Sequence, residues 1–519
     1  MAGIFEMVDK MFAGVVPVAD FLWDFPTNFS WYANIPILGQ FSLAILLLLG
    51  GSFYFTFKFN FVQMKEFKTG IKMLTAKAKA KVGTTQLAAF LISMAGRVGA
   101  GNIVGVTGAV TIGGPGAIFW MWVSAFAGMA TSFGEATLAQ IYKEKKGDEY
   151  VGGFTFYIQK IWKNKAWVGG GMCILYLLYN MLSIPVHTFH VFTAASSIAN
   201  EVTGRVTDVS EPLYYIIAVA IVVIIAVITF GGIKSVVKFS DKAVPVMAAL
   251  YIAVIALLIV LNLNKVPAFV IAVFGGAFKP SAVFGGAFGV AMAQGLKRGL
   301  LSNEAGMGTA TQASSIADAN HPCEQGFVQA IGVFVDTIVI CSLTGFVITA
   351  GTIWQNPAID WDTLKMDKIG TFLTSVKELV PGTSMDTAVL IFVAIAFGLF
   401  AFTTLLCDLT YAEIAANKIS TSRGFIGFVR VLGAFLFVPL GTITVLAGLQ
   451  LDNLWYVSDL INVVLVFINI PTLLVARNII LKAYQNYKTS GGKRFVSSEI
   501  GIETEVWSAE ARREAEADR

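Results

Sequence analysis

The segment RVGAGNIVGVTGAVTIGG, residues 97–114, decides the fold, because it puts glycines and strongly polar groups inside a long apolar run. Close helix packing through small residues, as in GxxxG contacts, accounts for Gly101 and Gly105. It does not readily account for Arg97 and Asn102 in the same stretch. A helix broken near the middle of a bilayer does, since its freed N–H groups would face a carboxylate and its freed carbonyls a cation. The segment therefore predicts a discontinuous membrane helix.

The composition of the whole chain is that of a protein that faces lipid. Of its 519 residues, 56% are hydrophobic and only 13% are charged, and the mean hydropathy is +0.72. A soluble protein carries about 25% charged residues, because it must cover its core with charge. The net charge of +4 is small and indicates no nucleic-acid partner. We therefore predict an all-α polytopic protein embedded in the lipid bilayer.

The residue types that build metal centres and catalytic sites are sparse. Three histidines cannot make a rich metal site, and the four cysteines lie far apart without a CxxC pair: Cys173, Cys323, Cys341 and Cys407. Such cysteines are usually small buried hydrophobes. The sequence has no HExxH motif, no acidic metal cluster and no nucleophile elbow. We expect neither an enzyme nor a bound cofactor.

Eleven runs are long enough to cross a bilayer, for which a helix needs about 20 mostly apolar residues. These runs are residues 36–57, 85–112, 115–142, 167–199, 213–230, 243–263, 281–301, 325–352, 386–416, 424–448 and 455–476. Residues 1–35 contain Pro17 and Pro26 but no clean span, so we expect an interfacial segment there.

The distribution of charge predicts the orientation of these spans, because Lys and Arg collect in cytoplasmic loops. Lysines cluster in the loops 58–84, 143–166 and 231–242, and basic residues open the tail after residue 476. The intervening loops are acidic, with Glu201, Asp208, Glu211, Asp360, Asp362, Asp367, Asp452 and Asp459. Eleven spans in the cell membrane, with the N-terminus outside and the C-terminus in the cytoplasm, satisfy every loop. Within the cytoplasmic tail 477–519, we expect the polar residues 485–519 to be a solvated helix or disordered.

A second interruption is predicted in residues 294–308, QGLKRGLLSNEAGMG, at the end of the seventh span. Gln294 ends an apolar, glycine-rich run, and Lys297 and Arg298 follow at a cytoplasmic end. One interpretation is a helix terminus with a basic loop. The other is a second discontinuous helix together with an intracellular gate.

The positions of the two interruptions favour the second interpretation. When the span 36–57 is set aside as an extra helix, the interrupted segments become spans 1 and 6 of the remaining ten, and they run in opposite directions. Paired interruptions at corresponding places in two halves point to a transporter site. We therefore predict a core of two inverted five-helix repeats, residues 85–263 and 281–476, with discontinuous core helices 1 and 6.

Polar side chains in the ninth predicted span, core span 8, offer a second kind of site. Thr403 and Thr404 are adjacent hydroxyls deep in the run FAFTTLLCDLTYAE. Such hydroxyls usually bond to their own helix, but a pair also offers hard oxygen ligands to a small cation. Together with carbonyls of core span 1 they make a candidate cation site.

Ionisable residues inside spans are costly and are functional by default. They are Arg97, Glu135, Asp336 and Asp408. We expect Arg97 and Asp408 to pair between core spans 1 and 8. His187 and His190, spaced i, i+3 on one helix face, are more typical of packed histidines than of a substrate or proton site.

Several stretches resemble the alanine/glycine:cation symporter family. They are residues 99–123, 134–142, 150–158, 294–310, 321–337 and 400–406, and they extend over most of the chain from about 85 to 475. GGPGAIFWMWV and RGLLSNEAGMG are long and specific matches. The resemblance implies an amino-acid symporter coupled to Na⁺ or H⁺, with a five-plus-five inverted-repeat fold and an additional helix.

The resemblance also implies site residues, carried over position by position. The implied substrate-binding residues are Asn102, Gly105, Gln294 and Thr404. The wider fold similarity implies a sodium site made by the backbones of Gly101 and Val104 with Thr403 and Thr404.

One departure from the family pattern concerns the substrate. The family commonly has a tryptophan near Asp408, and an acid there would remodel the pocket, so Asp408 joins the candidate substrate-binding residues. The predicted function is symport of a small neutral amino acid, alanine- or glycine-like, with Na⁺, by a monomer. The alternatives are proton coupling or a larger substrate such as glutamine. A channel and a non-transporting sensor are the rivals from other classes.

Overall fold

A computed structural model of the protein describes residues 13–35, 38–76, 80, 82–147, 149–203, 211–278, 288–353, 368–446 and 452–508. The acidic residues predicted at 208, 360, 362 and 367 lie outside these described residues, as do positions 1–12 of the N-terminal segment and 509–519 of the tail.

The first half of the chain is helical apart from one short hairpin. Its elements are α1 (Val16–Asp24), α2 (Ser30–Ala33), α3 (Leu43–Lys58), α4 (Val62–Lys65), α5 (Phe67–Thr75), α6 (Gln86–Arg97), α7 (Gly101–Gly113), α8 (Gly116–Ile141), β1 (Glu144–Lys146), β2 (Glu149–Val151), α9 (Phe154–Ile161), α10 (Ala166–Thr203), α11 (Pro212–Phe230) and α12 (Gly232–Leu261). The antiparallel strands β1 and β2 connect α8 to α9.

The regular elements of the second half are all helices among the described residues. Its elements are α13 (Val266–Phe278), α14 (Phe288–Asn303), α15 (Thr311–Ser315), α16 (Pro322–Gly351), α17 (Lys368–Leu379), α18 (Thr383–Ile419), α19 (Arg423–Leu446) and α20 (Asp452–Ser490). Among the described residues, eight helices are long and apolar enough to cross a membrane, or nine if α6 and α7 form one bent span. The helix α3 and the segment containing α13 are shorter apolar helices.

The first predicted interruption is present. The helices α6 and α7 are bent by 43° at a break between Arg97 and Gly101. The side chain of Thr85 caps α6 by accepting the N–H of Ala88 at 3.1 Å.

The second interruption falls in the last part of the predicted segment 294–308. The helix α14 does not end near Gln294 but continues through Lys297 and Arg298 to Asn303. The chain then leaves the helix with left-handed backbone at Glu304 (φ 58°), Gly306 (φ 95°) and Gly308 (φ 80°). The interpretation of this segment as a helix terminus followed by a basic loop is therefore wrong, because Lys297 and Arg298 lie within α14. Their charges are accommodated inside the protein, Arg298 on a backbone carbonyl and Lys297 over the ring of Trp23.

The most extensive helix packing involves α8, α10 and α18. The helices α10 and α18 pack extensively on each other, and α8 packs on both α14 and α16. The lysines predicted in a loop at 231–242 instead lie on the first turns of α12, which begins directly after α11.

The two ends of the described chain pack on the bundle. The helix α1 contacts α20, and the buried Trp23 donates its indole N–H to the carbonyl of Asp459 at 2.8 Å. The helix α20 continues to Ser490, past the predicted start of the tail at residue 477.

The tail from residue 491 to residue 508 is docked rather than solvated. Trp507 is buried and donates its indole N–H to the carbonyl of Gln140 at 2.7 Å, and the N–H of Phe495 bonds to the carbonyl of Asn320. The expectation of a solvated or disordered tail is wrong for these residues, because Phe495 and Trp507 bury aromatic surface that a count of charges overlooks.

Candidate functional site

A polar cavity lies between the two helix breaks. It has a volume of about 120 Å³ and is called the inner cavity here. Its lining comes from α6, α7, α10, α14, α18 and α20 and comprises Gly96, Arg97, Gly99, Gly101, Asn102, Tyr179, Ser183, His187, Arg298, Leu301, Ser302, Glu304, Met307, Thr404, Asp408, Ser458, Asp459 and Asn462. Most of these side chains are polar, so the cavity suits a polar or zwitterionic solute.

A larger space adjoins the inner cavity and is called the vestibule here. It has a volume of about 480 Å³ and is lined by α1, α7, α14, the start of α17 and the start of α20. Four residues line both spaces: Gly101, Arg298, Leu301 and Asp459. The boundary between the two spaces therefore runs through these residues.

The candidate substrate-binding residues divide between the two spaces. Asn102, Thr404 and Asp408 line the inner cavity, whereas Gly105 and Gln294 line the vestibule. Gln294 lies two and a half turns before the end of α14, so it is not at the break.

Asn102 stabilises the backbone of the first break through hydrogen bonds of its side chain. Its side-chain oxygen accepts the N–H of Gly99 at 2.9 Å, which caps the start of α7. Its amide nitrogen donates to Asp336 at 2.6 Å and lies 3.2 Å from the hydroxyl of Ser302. Asp336 belongs to a π-helical stretch of α16, a local distortion that often marks functional positions. Both ends of the Asn102 amide are therefore committed to protein partners.

Glu135 on α8 holds the second break. One of its carboxylate oxygens accepts the N–H groups of Gly306 at 3.1 Å and Gly308 at 2.9 Å. Asn469 on α20 donates to the same carboxylate and to the carbonyl of Gly306, and the hydroxyl of Tyr157 donates to Asn469. The sequence singled out Glu135 as an ionisable residue within a span, but nothing in it connected Glu135 with Asn469, which is 334 positions away.

Asp408 faces a different partner from the one expected. Its carboxylate lies 3.4 Å from Nε2 of His187 on α10. Arg97 instead donates to the carbonyl and side chain of Gln329, each at 3.1 Å, and to the hydroxyl of Ser132 at 3.0 Å. The predicted Arg97–Asp408 pair is therefore wrong, because α16 and α8 supply acceptors that turn Arg97 away from α18.

Arg298 joins the two broken helices. Its guanidinium donates to the carbonyl of Gly101 at 2.8 Å. That carbonyl was a predicted sodium ligand, and the arginine now occupies one side of it. Val104, the other predicted backbone ligand, lines the vestibule.

The two threonines of the predicted cation site point in different directions. The hydroxyl of Thr404 lies 3.0 Å from the carbonyl of Ala95 and 2.9 Å from that of Phe400. The hydroxyl of Thr403 contacts the carbonyl of Leu399 and the sulfur of Met247. The structure thus brings Thr404 to the last turn of α6. The role of Thr403 and Thr404 as cation ligands stays a prediction. Among the described residues, no group of three or more His, Cys, Asp or Glu residues forms a metal centre.

A polar cavity bordered by the bent pair α6–α7 and by the end of α14 is typical of membrane transporters that bind their solute at interrupted helices. More specifically, the chain belongs to the sodium:alanine symporter family, whose model matches residues 28–498. It is therefore a transporter and not an enzyme.

The chain also aligns with related transporters over nearly their whole length. The chain is 34% identical to the amino-acid carrier protein AlsT of Bacillus subtilis, over 88% of this chain and 92% of that protein. It is 34% identical to the probable sodium/glutamine symporter GlnT of Bacillus subtilis, over 86% of this chain and 87% of that protein. It is 32% identical to the sodium/alanine symporter AgcS of Methanococcus maripaludis, over 86% of this chain and 95% of that protein.

Proposed function

We propose that the protein is a secondary active symporter that moves a small neutral amino acid, alanine- or glycine-like, together with Na⁺. The observation that carries the proposal is the inner cavity, since both helix breaks border it and its wall holds charges of both signs. A zwitterionic amino acid needs a negative charge near its ammonium group and a positive charge near its carboxylate. Glu304 and Asp408 offer negative charge, and Arg298 offers positive charge, on the wall of one cavity.

The cation would bind where the last turn of α6 meets α18. Hard cations take oxygen ligands. The hydroxyl of Thr404 and the carbonyls of Ala95 and Phe400 already converge within 3.0 Å there. Thr403 is the adjacent hydroxyl, and Gly101 and Val104 are the less favoured backbone ligands because the first is held by Arg298 and the second faces the vestibule.

The proposed architecture keeps the eleven spans and the two inverted five-helix repeats, with the pairs α6–α7 and α14–α15 as core helices 1 and 6. It places the N-terminus outside, the C-terminus in the cytoplasm of a cell membrane, and the vestibule on the outer side. The protein would act as a monomer, with no cofactor beyond the coupling ion. In this orientation the structure corresponds to an outward-facing state.

Glutamine is the second candidate substrate. The wall beside Asp408 carries His187, Ser183, Tyr179 and Asn462, and the buried carbonyl oxygen of Asn462 has no hydrogen-bond partner among the described residues. An alanine methyl group gains nothing from such a wall, whereas a carboxamide can donate to Asp408 and to Asn462. The likeness to a probable sodium/glutamine symporter agrees with this candidate.

Uptake into proteoliposomes tests the function. Purified protein is reconstituted, and radiolabelled alanine, glycine, serine, glutamine and lysine are offered with an inward Na⁺ gradient or with choline at the same pH. The proposal expects concentrative uptake of a neutral amino acid that depends on Na⁺. Equal uptake in choline that collapses with a protonophore would instead assign proton coupling, and single-channel currents would assign a channel.

A further inference from the structure

Arg298 lies on the boundary between the vestibule and the inner cavity, and it lines both. We propose that Arg298 is the residue that binds the substrate carboxylate and, with the carboxylate bound, closes the inner cavity from the vestibule. The inference rests on the proposed transport of amino acids and names the group that recognises the carboxylate.

The facing helix leaves a space that the guanidinium fills. A Cβ atom built on Gly105 would lie 1.9 Å from Cζ of Arg298, and one built on Gly101 would lie 2.4 Å from its Nη2. No side chain larger than hydrogen is compatible with this placement at either position. Gly101 and Gly105 thus make room for an arginine from α14.

The guanidinium retains hydrogen-bonding capacity in the buried site. One nitrogen donates to Gly101, but the buried Nε–H has no hydrogen-bond partner among the described residues. Leaving a buried donor unsatisfied costs about 1–3 kcal/mol, so the site favours an arriving acceptor. A carboxylate is the acceptor that matches the planar fork of arginine best.

The acidic neighbours of Arg298 balance its charge without forming a close ion pair. Asp459 on α20 lines both spaces and lies within electrostatic range of Arg298 and Lys297. Among the described residues, no salt bridge within 4.0 Å involves Arg298. The guanidinium is therefore held in place by one carbonyl and is not neutralised by a fixed partner.

Carboxylate binding at Arg298 would couple recognition to closure. The residue sits on α14, six positions before the second break at Glu304, and it already contacts the first turn of α7. A carboxylate bound between Arg298 and the first break would tie the two broken helices together. Substrate can favour the closed state only by binding it more tightly than the open state, and this bridge supplies that difference.

The test compares ligands with and without the carboxylate. Competition against uptake is measured for L-alanine and L-alaninamide, and for L-glutamine and its α-amide, in the wild type, Arg298→Gln and Arg298→Lys. We expect the wild type to prefer each acid strongly over its amide. In Arg298→Gln, the affinity for the acids should fall at least tenfold while that for the amides changes less than twofold. Arg298→Lys should recover part of the preference.

Lys297→Gln is the matched control, because it removes the adjacent positive charge from the vestibule. It should keep the acid-to-amide ratio of the wild type. An unchanged ratio in Arg298→Gln, or the same collapse in Lys297→Gln, would overturn the assignment. If the wild type binds none of these ligands in Na⁺, the proposed function fails instead.

A second measurement reports closure even if Arg298→Gln transports too slowly to assay. Ser183→Cys places a thiol in the inner cavity, where a membrane-impermeant methanethiosulfonate reagent is applied from the vestibule side. Saturating substrate should slow the labelling of Ser183→Cys when Arg298 is present. It should leave the labelling rate unchanged when Ser183→Cys is combined with Arg298→Gln. Equal protection in both backgrounds would reject Arg298 as the closing group.

Discussion

Nε2 of His187 on α10 lies 3.4 Å from the carboxylate of Asp408 on α18, and this contact joins the two helices that pack most extensively in the bundle. Both side chains border the inner cavity. A buried carboxylate is costly without a partner, and the group that lies beside Asp408 in this protein is the His187 ring, not Arg97.

The contact predicts energetic coupling between His187 and Asp408. The variants His187→Ala and Asp408→Ala should each lower substrate affinity, and the double variant should deviate from additivity by about 0.5–3 kcal/mol, as expected for residues in contact. Substrate competition at fixed Na⁺ gives the three affinities. The same cycle with Arg97→Ala in place of His187→Ala is the control and should be additive within about 0.5 kcal/mol. Coupling through Arg97 and additivity through His187 would contradict the observed geometry.

Asp408 also predicts substrate selectivity. Asp408→Leu replaces a hydrogen-bond acceptor on the cavity wall by an apolar side chain of similar size. If glutamine is the substrate, its affinity should fall about tenfold or more while that of alanine is retained or improves, since a buried polar group left unpaired costs about 1–3 kcal/mol. Asp408→Asn keeps an acceptor and should have the smaller effect. Parallel changes for both amino acids would assign Asp408 to a structural role.

The first helix break could be predicted because its cause is local. Arg97 and Asn102 are strongly polar groups that an unbroken apolar run does not explain, and the structure bends between Arg97 and Gly101. The second break lies within the predicted segment 294–308, but the sequence alone did not show that Lys297 and Arg298 belong to the helix before it. Their burial depends on Trp23 and Gly101, which are distant in sequence.

The candidate site shows the same division between local and tertiary information. Asn102, Thr404 and Asp408 do border the inner cavity, and each was recognisable as a polar residue within a span. The partners of these residues were not recognisable. The contacts Asn102–Asp336 and His187–Asp408 join segments more than two hundred positions apart, and only the packing of the helices decides which polar groups meet.

The bond between Asn102 and Asp336 predicts that their roles can be exchanged. Asn102→Asp puts a second carboxylate against Asp336, where the donor now lies at 2.6 Å, so it should lower the thermal stability and abolish uptake. The double variant Asn102→Asp, Asp336→Asn restores one donor and one acceptor. It should recover a substantial part of the melting temperature that the single variant loses. Fluorescence-detected size-exclusion chromatography after heating measures the melting temperatures. No recovery would indicate that the pair does not stabilise the break.

Glu135 predicts a graded response, because its carboxylate accepts two backbone N–H groups of the second break. Glu135→Gln keeps one acceptor oxygen and should reduce uptake by about tenfold. Glu135→Leu leaves both N–H groups unsatisfied, at about 1–3 kcal/mol each, and should abolish uptake and lower the melting temperature. Phe126→Leu, at an exposed position of the same helix, is the control and should behave as wild type. Equal behaviour of Glu135→Gln and Glu135→Leu would show that the acceptor is dispensable.

His321 predicts that the docked tail is sensitive to acid. The residue caps the start of α16, where Nδ1 accepts the N–H of Cys323 at 3.2 Å and Nε2 contacts Asn486, so the neutral ring fits its partners. Burial lowers the pKa of His321 from 6.5 to about 4. The unfolded state therefore binds more protons than the folded state between these two values. The stability of the docked arrangement should be complete above pH 6.5 and should fall by about 3 kcal/mol as the pH drops to 4.

The ring of His321 packs edge-on against the ring of Phe495 in the tail, with the two ring centroids 4.9 Å apart. Protonation of His321 should therefore loosen the segment that ends at Trp507. Hydrogen–deuterium exchange of the peptide 495–507 measures this opening. Exchange in the wild type should accelerate between pH 6.5 and pH 4 after correction for the intrinsic rate. His321→Asn keeps a capping oxygen but cannot titrate in this range, so its corrected exchange should be flat across the same window. An acid-induced opening of equal size in His321→Asn would assign the sensitivity to another group.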